Sequence, residues 1–307
     1  MKKIVERHHK KQSFFYCLAN KSLLATQFGL PQNFFRSKYK EQLIYSFFEI
    51  SKKDGSSREI NNPKYDLKVL QRKILNYMNR IYKPDWLMSG RKTISYIDNG
   101  RKHLGSNYVI TIDIKKIYSN CKRNNVYNMF KDVFKMTPDI ASIMADLTTF
   151  EGAVPTGAPT SQVIAFWTYQ DAFEKINEIA QQYDCIFSLY VDDMTFSSLG
   201  EIPTQLLLEV DKELKLVGLS IKWKKVKRFG INHCKLITGV VLDEAKQMRI
   251  PNALRLSIIQ GVKKLSNKEL SQEERLRLIK SLKGKINSAR NIEPEIFPEI
   301  HRKISSI

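Results

Sequence analysis

Four cysteines, Cys17, Cys121, Cys185 and Cys234, lie far apart in 307 residues, and no CxxC pair occurs. That scarcity excludes a disulfide framework and the thiolate clusters of structural zinc sites. Isolated thiols fit a reducing cytosol. His8 and His9 are adjacent, but no cysteine stands at ligand spacing from them. No run of about 18 apolar residues occurs, so no membrane-spanning helix is expected. The basic start, MKKIVERHHKKQSFFYCLAN, lacks the apolar core and small-residue cleavage site of a signal peptide. A cytoplasmic protein with no membrane partner is therefore expected. Internal repeats and low-complexity linkers are missing as well. Acidic residues are the last shortage: 31 Asp+Glu face 51 Lys+Arg, a net charge of +20. At 42% hydrophobic the chain can bury a core, and a folded chain this basic usually meets a polyanion, nucleic acid before any anionic membrane.

What is present reads as a succession of short elements. The chain before residue 42 reads as helix plus loop. QLIYSFFEISKKDGSSREINNP (42–63) reads as a hairpin, with a turn at Lys52 to Ser57 and a second arm stopped by Pro63. Leu67, Leu70, Ile74, Met78 and Ile81 recur at helical spacing, whereas 90–105, bounded by glycines, reads as a loop. NYVITIDIKK (107–116) alternates Tyr108, Ile110, Ile112 and Ile114 as a strand. Helices are expected around 123–135 and 138–149, a Gly/Pro-rich loop over EGAVPTGAPTSQ (151–162), and one helix from about Ser161 to Gln182. TQLLLEVDKELKLVG is an amphipathic helix closed by Gly218, and LSIKW, KVKRF and KLITGVVL read as short strands. Two or three basic-faced helices fill the chain after Pro251. The order predicts an α+β fold with helices packed behind an antiparallel sheet.

One stretch is chemically out of place. In CIFSLYVDDMTFSS (185–198), two apolar strands flank adjacent carboxylates, Asp192 and Asp193. Aspartate is common at turns because it caps backbone N–H groups, so this pair alone fits a turn as well as a site. Asp113 shifts the balance, since it lies within the apolar VITIDI and a buried, unpaired carboxylate is costly. If the two strands are neighbours, three carboxylates converge at one sheet edge. Hard divalent cations prefer such oxygen donors, and a basic surround would hold a polyanionic strand.

These residues also carry a family resemblance. Tyr190-Val191-Asp192-Asp193 resembles the Y-x-D-D box of reverse transcriptases, and Asp113 in ITIDIKKIY resembles their other metal-binding aspartate. VPTGAPTSQ resembles the L-P-Q-G-x-P-x-S-P loop, keeping Pro155, Gly157, Pro159 and Ser161. GLSIKWKKV resembles G-L-x-I-N-x-x-K-T and points to Lys225; REINNPKYDLKVLQRKIL resembles the fingers segment R-x-I-x-x-P-x-x-x-L-K-x-x-Q. The boxes follow the family's order across roughly 42–242. NGRKH (99–103) is similar to the N-A-x-x-H element of bacterial retron enzymes, and LITGVVLDEAKQMRIPNALR to their V-T-G segment. The departures are Thr156 for glutamine, Ile117-Tyr118-Ser119-Asn120 for F-F-P-S, Gly100 for alanine, and Lys222 and Val226 for asparagine and threonine.

The resemblance implies a right-hand polymerase fold, with an N-terminal extension and fingers over 1–106, a palm over 107–242 and a helical thumb over 243–307. It implies DNA synthesis from dNTPs by two Mg²⁺ ions, with Mn²⁺ as a substitute, held by Asp113, Asp192 and Asp193, with Lys225 as an acid toward pyrophosphate. Arg58, Lys53, Tyr118, Thr156 and Gly157 are the expected nucleotide-binding residues. Asn99, His103, Arg249, Arg255, Lys263 and Lys264 are the expected RNA and DNA contacts. The plain alternatives are a solvated hairpin tip for Arg58 and Lys53, core packing for Tyr118, a generic basic face around Lys225, and a structural role for His103. The partners implied are a cognate structured non-coding RNA, its branched DNA product (msDNA) primed from an RNA 2′-OH, and an effector protein encoded nearby, in antiphage defence. Another small bacterial reverse transcriptase, of the diversity-generating or abortive-infection type, is the rival enzyme. A non-catalytic RNA-binding scaffold is the rival of another class.

Overall fold

The computed structural model describes residues 7–36, 39–51, 55, 57–266 and 270–305. In chain order, helix α1 (Lys21–Gln27) precedes a hairpin of β1 (Tyr45–Ser51) and β2 (Ser57–Pro63). Then come α2 (Tyr65–Met78), α3 (Tyr96–Lys102), β3 (Tyr108–Asp113), α4 (Ile117–Asn120), α5 (Arg123–Asn128) and α6 (Pro138–Thr148). Next are α7 (Ser161–Thr168), α8 (Gln170–Gln182), β4 (Ile186–Tyr190), β5 (Asp193–Ser198), α9 (Thr204–Leu216) and β6 (Lys227–Phe229). The chain ends with β7 (Lys235–Ile237), β8 (Val240–Leu242), β9 (Met248–Arg249), α10 (Asn252–Leu265), α11 (Gln272–Arg290) and α12 (Pro298–Ser305). This is the mixed helix and antiparallel sheet expected from the sequence.

The chain divides into two compact units. The first takes the described residues up to Gly90 with Ile114–Ile179 and Leu207–Lys222. Its core is helical and aromatic. Leu67, Leu70, Ile74 and Met78 form the buried stripe of α2, and the Phe134 and Trp167 rings meet edge to face at 5.3 Å. Gln71, also buried on α2, donates to the Leu147 carbonyl at 2.9 Å and to the Tyr45 hydroxyl at 2.8 Å, which ties β1 down. The long helix expected over 161–182 is two helices. The Tyr169 amide bonds to the carbonyls of both Ala165 and Phe166, which tightens and ends α7 there. LSIKW is not a ladder strand either: Ile221 makes only a single bridge, to Ile114, and its amide donates to the buried Asp211 carboxylate at 3.0 Å.

The second unit holds Arg91–Asp113, Ala180–Leu206 and the described residues from Trp223 onward. Its main sheet is antiparallel, in the order β4-β5-β3-β6. Side chains alternate across each strand. One face carries Ile110, Ile112, Phe187, Leu189, Met194 and Phe196, all buried; the Phe187 and Phe196 rings pair at 5.1 Å. The other face carries Val109, Thr111 and Asp113 beside Asp193, Thr195 and Ser197, and Ser188 and Tyr190. Its Val109 end is covered by Ile97, Ile237 and Val240. Its aspartate end is open.

Two stretches in this unit depart from the sequence reading. The loop expected over 90–105 contains α3, started by a capping box between Ser95 and Asp98. KLITGVVL is a hairpin rather than one strand: Ile237 pairs with Val240, and Thr238 and Gly239, at φ 44° and 94°, form the two-residue turn between them. Positive φ at both central residues is what a tight hairpin with the natural strand twist requires. After β9, α10, α11 and α12 pack around Ile258, Ile279, Leu282, Ile286 and Ile304. Gly261 is needed there, because a Cβ would lie 2.7 Å from Leu282 Cδ2.

Candidate active site

The carboxylates meet through strand register. β3 and β5 pair so that Asp113 stands directly opposite Asp193, and β4 turns into β5 through Val191 and Asp192. Val191 has φ 62°. A β-branched residue is rarely found in the left-handed region, so the turn that carries Asp192 is strained, as functional turns often are. All three aspartates belong to the second unit.

Their mutual repulsion is visible in Asp193. Burial, then the charges of Asp192 and Asp113, push its carboxyl up to about 6. Lys225 and Lys227 oppose that rise. A cation already sits among these groups, for the Lys225 ammonium reaches Asp113 Oδ2 at 2.8 Å. Among the described residues, no three carboxylate, imidazole or thiol groups close around one point at ligand distance. The donor set nevertheless suits a hard divalent cation: three carboxylates, one pushed toward its neutral form by burial and by the other two, with the Lys225 ammonium bonded to Asp113. A cleft of about 450 Å³ opens at this end of the sheet, with Asp113, Asp193 and Tyr190, Lys225 and Lys227, and Thr238 and Gly239 on its walls.

Arg58, Tyr118, Thr156 and Gly157, expected to bind nucleotide, lie in the first unit. Arg58 is exposed on β2 opposite Ile50, and Tyr118 is half-buried on α4. Lys53 lies outside the described residues. The Thr156 carbonyl accepts the Asn61 amide at 2.7 Å. Gly157 has φ 111°, and a Cβ there would stand 2.6 Å from Ile60 Cγ2, so its loop and β2 approach closely only because the residue is glycine.

Two expected RNA contacts are placed otherwise. Asn99 and His103 are 1% and 0% exposed, so neither side chain offers a surface to RNA. Asn99 Nδ2 donates to Thr238 Oγ1 at 3.0 Å, and the two His103 ring nitrogens pair with Ser197 Oγ and Ser188 Oγ at 2.7 Å each. Burial lowers the His103 imidazole to about 3, so it is neutral. Arg249 and Arg255 are partly exposed but turn toward acids. Arg249 Nε is 2.8 Å from Asp243, both arginines reach Glu293, and Glu293 also accepts the Ile250 amide at 2.6 Å. Lys263 and Lys264 end α10 as exposed cations.

Sequence reasoning missed Thr111, Thr195 and Thr238 on the cleft and the serines around His103. Strand alternation carries the first two, since residues two apart from Asp113 and Asp193 share their face. Thr238 announces no turn in the sequence, because threonine is rarely found at positive φ.

A family profile described as "Reverse transcriptase (RNA-dependent DNA polymerase)" matches residues 50–250. The chain is 26% identical over 227 residues to the retron Se72 reverse transcriptase of Salmonella heidelberg (strain 579083-10), covering 73% of this chain and 57% of that protein. It is 24% identical over 214 residues to the retron Ec86 reverse transcriptase of Escherichia coli, covering 68% and 66%, and 22% identical over 275 residues to the Escherichia coli retron Ec73 reverse transcriptase, covering 83% and 85%. Among solved structures, apo telomerase from Candida tropicalis superposes with a TM-score of 0.54 at 12% identity, over 81% of this chain and 53% of that one, a likeness of fold.

Proposed function

Because the chain belongs to the reverse transcriptase family, we propose that it is a retron-type RNA-directed DNA polymerase. One observation carries the reading: Asp113 stands directly opposite Asp193 in the sheet, beside Asp192 and the Lys225 ammonium. The partners we infer are dNTPs, a cognate structured RNA that serves as template, and the msDNA it yields, primed from an RNA 2′-OH and acting in the cytoplasm with a nearby-encoded effector in antiphage defence. The chain is read as an N-terminal extension and fingers over 1–106, palm with part of the fingers over 107–242 and thumb over 243–307.

Asp113, Asp192 and Asp193 would hold the divalent cations, Mg²⁺ or Mn²⁺, which when bound make the attacking hydroxyl more acidic and stabilise the leaving oxygen. The chain's own groups do the rest. Asp193, whose carboxyl burial and its two neighbours push up to about 6, is a ligand that a divalent charge would favour in its ionised form. Lys225, whose Nζ reaches Asp113 Oδ2, would serve as the proton donor to the leaving pyrophosphate. Lys227, on the same cleft, steadies the anionic strand. Arg58 and Lys53 grip the triphosphate, Tyr118 crowds the sugar 2′ position, and Thr156 and Gly157 carry the loop beneath the base. Lys263 and Lys264 contact phosphates, which fix register without reading sequence.

The test is synthesis in vitro. Purified protein, its flanking RNA, dNTPs and Mg²⁺ should give DNA covalently joined to RNA, and Asp192→Asn should give none. Extension of an annealed primer without any branched product would favour another small reverse transcriptase. No DNA on either substrate would leave the scaffold reading.

A further inference from the structure

Asn99 and His103 stand four residues apart, on one side of the short helix α3 and its C-cap. Asn99 grips Thr238 on one wall of the cleft, and His103 grips the β4–β5 hairpin, whose Tyr190, Asp193 and Thr195 line the cleft. We propose that they are positioning residues: α3 acts as a strut between the β7–β8 turn and the β4–β5 hairpin, and thereby sets the width of the cleft that the aspartates open into. The inference rests on the reverse-transcriptase reading of that cleft.

At one end of the strut, Asn99 Nδ2 donates to Thr238 Oγ1 at 3.0 Å. Thr238 lies on the cleft wall with φ 44°, a left-handed conformation that β-branched residues avoid and that asparagine or glycine would take with little strain. A threonine stands where the geometry disfavours it, and its hydroxyl is the atom Asn99 holds. At the other end, His103 bridges Ser188 on β4 and Ser197 on β5, and Ser106 Oγ donates to Ser197 Oγ at 2.9 Å. A neutral imidazole has one donor and one acceptor nitrogen, and a serine hydroxyl can answer either, so one side chain clasps both arms of the hairpin whose tip carries Asp192. Between the two grips the helix backbone lies flat on β8: a Cβ at Gly100 would stand 3.0 Å from Val240 Cβ. The Tyr96 hydroxyl, on the same helix, pairs with Ser288 Oγ at 2.8 Å. A packed interior admits small displacements only at a cost, so the strut fixes a distance. Distance matters here because a shift of about 1 Å between reacting groups costs about 10²-fold in rate.

Steady-state extension of an annealed primer–template tests the proposal, with RNA affinity and melting temperature measured on the same preparations. Asn99→Ala and Thr238→Val should each lower kcat by about 10- to 100-fold, with the KM for dNTP and the Kd for RNA unchanged. The double variant should be no slower than either single one, because both remove the same bond. His103→Gln, which keeps a donor and an acceptor, should retain most of the rate that His103→Ala loses. Should His103→Ala fail to fold, Ser188→Ala and Ser197→Ala replace it. Weaker RNA binding with kcat unchanged would overturn the proposal, because the side chains would then be reading RNA. Unchanged kcat per folded molecule would overturn it too, leaving the bonds a purely structural role. A wild-type protein that makes DNA neither on an annealed primer nor on its flanking RNA would instead sink the functional reading itself.

Discussion

His103 shows how a residue's meaning changes once its surroundings are known. In the sequence it is a lone histidine in an RNA-binding element; in the fold it is a neutral, fully buried clasp. Its burial makes a pH prediction. Unfolded, the imidazole titrates near its ordinary 6.5, and folded it is held at about 3. The unfolded state therefore binds an extra proton through that window, so stability is full above pH 6.5 and is lost as pH falls toward 3. Denaturation of wild type and His103→Gln across this range should give a difference curve that slopes below pH 6.5 and is flat above it. Asp193 acts in the opposite sense, because its raised carboxyl favours the folded state at low pH, but it is common to both proteins and cancels. Gly157 makes the second prediction at this scale. Gly157→Ala would force a Cβ to within 2.6 Å of Ile60 Cγ2 at φ 111°, and should cost about 1–3 kcal/mol in urea unfolding.

At the scale of elements, the tight turns hold the unit around the cleft together. Thr238→Asn relieves the left-handed strain but gives up the hydroxyl that holds Asn99, so the two effects should offset to within about 1 kcal/mol in chemical denaturation, while kcat falls as for Thr238→Val. Glu293→Ala should cost about 2–3 kcal/mol, since it leaves the Ile250 amide and two arginines without their shared acceptor. Most strands and helices were legible before the structure, because alternation and helical spacing are written in the side chains. The β4–β5 hairpin and its aspartates fall in this class, as does α2. Four stretches were not, among them LSIKW, where Ile221 makes a single bridge in place of a ladder. Helix α3 is only a turn or two of poor helix formers, including Asn99 and Gly100, and persists through its capping box and the burial of Ile97. KLITGVVL hid a turn because threonine is not a residue that announces positive φ. The break at Tyr169 comes from hydrogen bonding at the end of α7, which spacing does not record. In the candidate site, the acids were readable and their pairing partners were not, because register between distant strands is a tertiary fact.

For the molecule as a whole, a net charge of +20 sets how it meets nucleic acid. Binding to RNA should fall steeply with salt, by about 10³–10⁵ between 50 and 200 mM if six to ten phosphates are neutralised. Lys263→Ala with Lys264→Ala should reduce the slope of log affinity against log salt by about two, as removing two phosphate contacts does. Arg249→Ala should leave the slope nearly intact and lower the melting temperature, because its guanidinium is spent on Asp243 and Glu293. Filter binding at five salt concentrations separates these outcomes.

The two faces of the main sheet also make the site a matter of parity. In β3 and β5, residues 109, 111, 113, 193, 195 and 197 look toward the cleft side, and 110, 112, 194 and 196 look into the apolar core. Deleting one residue inside β3 would exchange the two sets beyond the lesion and press hydroxyls into hydrocarbon, whereas deleting two would restore the phase. This sheet can therefore change length only in even steps, and a library of single and double codon deletions should return folded protein from the second class alone.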